Sequence, residues 1–167
     1  MRKLLIATVL AVTTQNALAY SPMPLSFEWF GSMYQGFQEN DQEIWRGKVI
    51  DVVSSTDLII QNINGHKAQV KLLHLSPPKE NNKQTIQIMT NAMTSLIGNN
   101  VYVLGKANED NISARLVDAK GKDLNLSLVR LGAFDINTSS LYFKNYRKNY
   151  ITTAESSKNL RRGIWFY

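Results

Sequence analysis

An Asn64-Gly65 pair separates two runs of strand-forming residues, Leu58 to Ile63 and Lys67 to Leu75. Asn and Gly are the residues that most easily adopt the positive φ a tight type I′ turn requires, so the pair closes a hairpin and sets its register. The chain is thereby committed to a β framework around this turn. Lys48 to Val53 reads as the strand before the hairpin. Pro77 and Pro78 end the third strand, because proline supplies no amide donor and restrains the residue before it.

Between Lys83 and Ile97 the pattern changes. Ile86, Met89, Met93, Leu96 and Ile97 recur at steps of three and four, which predicts one apolar helix face stopped by Gly98. Val101 to Leu104 and Ile112 to Val117 are two further strands, joined by the polar stretch Ala107 to Asn111. Leu124 to Leu131 is a short helix ending at Gly132, and Thr152 to Leu160 is a last helix before Gly163. Asn137 to Asn149, rich in Asn, Ser, Tyr and Lys, is expected to be the least structured stretch. Five strands interrupted by a helix, followed by two more helices, predict an α+β domain built on a small, partly open barrel of the oligonucleotide/oligosaccharide-binding (OB) type.

The first nineteen residues follow a different rule. Arg2 and Lys3 precede a short apolar run, Leu4 to Val12, and Ala17-Leu18-Ala19 closes it with small residues, the pattern of a secretory signal peptide. The run falls well short of the ~20 residues that span a bilayer. Export to a bacterial periplasm, or full secretion, is the expectation. Removing Arg2 and Lys3 leaves 17 basic residues against 13 acidic ones, a mild positive excess that permits a nucleic-acid partner without requiring one. With no cysteine, disulfide stapling and thiolate zinc sites are excluded, so the packed core must supply the stability.

Residues 20–46 form an aromatic-rich extension ahead of the domain at 47–167. Phe30, Met33, Tyr34 and Phe37 are spaced as on one helix face. Two readings stay open: a helix covering the domain, or an arm that docks another envelope or secreted protein through Phe27, Trp29, Phe30, Tyr34 and Phe37.

Four segments carry a family likeness. They are GKVIDVVSSTDLII from Gly47, VKLLHLSPPK from Val70, DLNLSLVRLGAF from Asp123, and LRRGIW from Leu160. In order and spacing, from Gly47 to Trp165, they resemble the staphylococcal nuclease (thermonuclease-like) family. The resemblance implies an OB-type barrel and, in active members, Ca2+-dependent hydrolysis of phosphodiester bonds. That chemistry needs carboxylates for a hard cation, arginines for the phosphate oxygens and a general base for water.

Carried over position by position, this constellation is replaced. Thr56 stands for the first metal carboxylate, Ser76 for the second, Lys71 for the first arginine and Lys79 for the general base. The second arginine falls on Asn111 or Ile112. Neither a metal nor a catalytic set is expected, and Ca2+ enters only if displaced residues rescue the site. Asp57 and Glu80 are the candidates for that. Asp57 follows the ligand position on a strand, where neighbours alternate faces, and is expected to aim away from the pocket.

Other chemistry is sparse. His66 is expected at the hairpin surface, and His74 as polar surface or pocket lining. Tyr142, Tyr146 and Tyr150 interleave with Lys144, Arg147 and Lys148, which reads first as a solvated segment with its tyrosines inward and, as the alternative, as a stacking and charge surface for single-stranded nucleic acid. The expected function is therefore an exported, nuclease-like module that binds protein or plays a structural part. The alternatives are a thermonuclease-type endonuclease with a rearranged site and a non-cleaving nucleic-acid binder.

Overall fold

The computed structural model describes residues 43–79, 82–107, 112–140 and 143–166. Residues 1–42, which include the expected signal peptide and Phe27, Trp29, Phe30, Tyr34 and Phe37, lie outside them, as do Glu80, Asn111 and Tyr142. In chain order the elements are β1 (Glu43–Val52), β2 (Asp57–Asn62), β3 (Lys67–Leu72), β4 (Leu75–Ser76), α1 (Lys83–Thr94), β5 (Asn100–Ala107), β6 (Ile112–Val117), α2 (Leu124–Arg130), β7 (Asp135–Ile136) and α3 (Phe143–Asn159), with a 3-10 turn at Gly163–Trp165.

The hairpin forms as its turn residues require. β2 and β3 pair antiparallel from Asp57↔Lys71 to Gln61↔Lys67, and the Asn62 side chain accepts from the amides of Asn64 and His66 inside the turn. Each strand of the pair then finds a second neighbour, and the sheet closes in the order β1-β2-β3-β6-β5. The barrel is thus closed rather than partly open. Every barrel pairing is antiparallel except β3–β6, which is parallel. The helix α1 lies between β4 and β5, consistent with an α+β OB-like fold.

Alternation fills the interior. Val49, Leu58, Ile60, Val70, Val103 and Leu116 are fully buried, each worth roughly 1.5–3 kcal/mol as an apolar side chain removed from water. Trp45, assigned from sequence to the aromatic extension, joins them: β1 starts at Glu43, and the indole is 2% exposed inside the core.

Four expectations are corrected. The third strand stops at Leu72 instead of Leu75, because His74 adopts φ 66°, a left-handed conformation no strand can continue through. The face of α1 is narrower than its spacing predicts: Met93 and the following Leu96 are buried and Met89 packs against the core, but Ile86 and Ile97 are substantially exposed and Thr85 is buried instead. The last helix begins at Phe143, not Thr152, so residues 143–149 of the supposedly unstructured stretch are helical. Finally, His74 is buried rather than at the surface.

Candidate functional site

At one end of the barrel, the β2–β3 register sets Asp57 opposite Lys71. Directly paired residues on antiparallel strands project to the same face, so Asp57 shares a face with Lys71 and does not aim away from it. Ser54–Thr56 form a bend, so Asp57 is the first residue of β2, and neither it nor Lys71 lines the cleft described below. The carboxylate is engaged there. Ser54 and Thr56 hydroxyls donate to its Oδ2, and its own amide donates to Ser54 Oγ at 3.1 Å. Thr56 in turn is fixed by its carbonyl, which accepts from the Leu72 amide at 2.8 Å.

Ser76 and Lys79 belong to a different wall. Ser76 pairs with Asp135 across β4–β7. Together with Pro77, Pro78, Thr85, Ile164 and Trp165 these residues line a cleft of about 410 Å3. Lys158 contacts two of these lining residues: its Nζ lies 3.2 Å from Asp135 Oδ1 and 4.4 Å from the centre of the Trp165 ring. Lys71 and Thr56 do not line this cleft, so the substituted positions are split between two places. Ile112 is in neither. It pairs with Val70 and is buried in the core.

These residues do not fit a calcium ion. Calcium takes six to eight oxygen ligands, mostly carboxylate and carbonyl. Around β2 and β3 the sole described carboxylate of the carried-over positions is Asp57, already bonded to two hydroxyls and paired in register with Lys71. Among the described residues no three His, Asp or Glu side chains converge as metal ligands do.

Sequence reasoning missed a second polar cluster, behind β4 and under α3. Arg115, 3% exposed on β6, makes a 3.1 Å ion pair with Asp123, and its guanidinium stacks 3.7 Å from the Tyr146 ring centre. Asp123 also caps α2 through the Leu126 amide at 2.9 Å and accepts from the Tyr150 hydroxyl at 3.2 Å. His74 packs edge-on against Tyr150 and tilted against Tyr146, with Nδ1 2.5 Å from Ser140 Oγ. Beside them the buried Asn125 amide bridges the Leu73 and Ala114 carbonyls and the Leu116 amide, tying β3, β6 and α2 together.

Burial sets the protonation states. It lowers the His74 pKa from 6.5 to about 4, with Arg115 adding repulsion, so the imidazole is neutral. Burial also pushes the Asp123 carboxyl up, opposed by Arg115 and by its hydrogen bonds. The Tyr146 phenol rises to about 12 for the same reason, and Tyr150 rises well above its ordinary value. These are fixed, charge-matched packing groups. The signal that could have exposed them is the spacing Tyr146, Tyr150, Ala154, Ser157, an inward helix stripe made of tyrosines rather than aliphatics.

The same helix sorts its basic residues outward. Lys144, Arg147 and Lys148 are exposed, whereas Tyr146 lies under Arg115. The charges therefore stand without that ring beside them.

Compared with known families and with characterised proteins, the chain matches no family model and no curated sequence.

Proposed function

We propose that the chain is an exported, nuclease-like barrel that binds rather than hydrolyses, serving as a protein-binding or structural module of the cell envelope. The observation that carries this reading is the chemistry at the positions where nuclease machinery would sit. Lys71 and Lys79 bring ammonium groups, Thr56 and Ser76 bring hydroxyls, and Ile112 is core. A metal-assisted attack on a phosphodiester needs a cation cage and a base for water, and lysines at those positions bring neither carboxylate ligands for the first nor the expected carboxylate for the second. The cleft, walled by Pro77, Pro78, Ile164 and Trp165 on one hand and by Ser76, Lys79, Thr85 and Asp135 on the other, has the size of a binding pocket and a mixed polar and apolar lining. The N-terminal Arg2-Lys3, Leu4–Val12, Ala17-Leu18-Ala19 pattern supports export.

The geometry of Asp57 favours a second reading, a thermonuclease-type enzyme with a rearranged site, because this carboxylate shares a face with Lys71. One assay separates the two. Purified protein is incubated with single- and double-stranded DNA and with RNA, with and without Ca2+. The binding reading predicts no cleavage above a heat-denatured control and recovery of a stable protein partner from the envelope. Cleavage that requires Ca2+ and disappears in Asp57→Ala would establish the enzyme instead.

A further inference from the structure

Two helices end at the same pole of the molecule. Ser157 on α3 donates to the carbonyls of Val129 and Arg130 at the end of α2, and the Ile164 amide donates to the Gly132 carbonyl at 2.8 Å. This lock brings Arg130 and Leu131, just at the end of α2, beside Leu160, Arg161 and Arg162, just past α3. Arg162 confirms the contact, its Nη1 donating to the Arg130 carbonyl at 3.4 Å.

The side chains at this pole are largely exposed. Leu131 is 60% exposed, Leu160 58%, and the following Phe166 67%, while Arg130, Arg161 and Arg162 are all exposed. Scattered exposed leucines need no explanation, but two of them among three arginines on one turn cluster form a mixed basic and apolar surface. Two helix C-termini offset roughly one unit of that positive charge. Three guanidiniums exceed it, and the flanking carboxylate Asp135 is already matched to Lys158.

We propose that this pole docks onto an anionic phospholipid surface. The charge is complementary to lipid phosphate, and guanidiniums on long stems reach phosphates while neighbouring apolar tips enter the acyl boundary. Apolar tips interspersed with charge at helix ends fit such an interface better than the contiguous dry centre of a protein–protein contact. The site is separate from the barrel mouth, so its failure would leave the hydrolysis question untouched.

The test is vesicle co-sedimentation of the purified protein, using phosphatidylcholine with and without phosphatidylglycerol. Binding is expected only with the anionic lipid, and should weaken as salt screens it. Arg130→Gln with Arg161→Gln should lower affinity roughly fivefold per arginine. Leu131→Ser with Leu160→Ser should lower it about tenfold or more. Arg130→Lys with Arg161→Lys should retain most of it, and circular dichroism melts check that each variant remains folded. The proposal is overturned if the wild-type protein ignores anionic vesicles, or binds them as tightly when both leucines are serine. It is equally overturned if polyglutamate is bound while vesicles are not, which would identify an acidic polypeptide surface.

Discussion

His74 is the residue whose environment makes the sharpest demand on pH. Its depressed pKa means that the unfolded chain takes up a proton first as pH falls, so the stability tied to the neutral ring is complete above about 6.5 and lost progressively toward about 4. The loss is on the order of 3 kcal/mol across that window. Asp123, with its carboxyl raised by burial, contributes the opposite slope, so the comparison with His74→Asn isolates the imidazole. Asn tolerates the left-handed backbone at this position. Urea denaturation at a series of pH values should show the wild-type protein losing this stability and the variant lacking that component; parallel slopes would contradict it. Arg115 makes a second demand. Arg115→Met leaves Asp123 buried without its counter-charge and should cost about 3–5 kcal/mol, and adding Asp123→Asn, which keeps the helix cap, should restore part of that. Failure of the double variant to recover would show that the guanidinium acts through packing on Tyr146 rather than through charge.

At the scale of elements, legibility followed periodicity. The β2–β3 hairpin, β6, and the body of α2 were readable because alternation or a capped helical stripe marked each one. The first half of α3 was not, since its buried positions are Tyr146 and Tyr150, which among lysines and asparagines resemble a polar loop. The break at His74 was equally hidden: nothing in VKLLHLS announces a positive φ. The junction of α2 with the chain end rests on glycine. Gly132 has φ 70°, and a Cβ there would overlap the Arg162 carbonyl. Gly132→Ala should cost roughly 1–3 kcal/mol from backbone conformation alone, with the overlap adding to it. Chemical denaturation measures this directly, and a loss below about half a kcal/mol would mean that the two segments separate readily.

For the whole molecule, sequence order was enough to anticipate a barrel, because a hairpin, a helix and two more strands leave few ways to bury every alternating face. Closure of that barrel depended on β1 beginning at Glu43, with Trp45 inside, and an aromatic-rich flank concealed that start. The candidate site was legible as residue types but not as geometry. Lys71 and Ser76 are five residues apart in sequence, yet the turn at Leu73 and His74 sends them to different walls. The barrel end presents one hydroxyl-bound carboxylate, Asp57, paired in register with Lys71, and on the proposed reading that surface does not retain a divalent cation. A ligand that binds only the folded state raises its melting temperature in proportion to the logarithm of its concentration over Kd. Thermal unfolding across a Ca2+ titration is therefore the most direct measurement. The expected Tm follows the ionic-strength control with Mg2+, whereas a Ca2+-specific, saturating rise that vanishes in Asp57→Ala would show that a cation is held there after all.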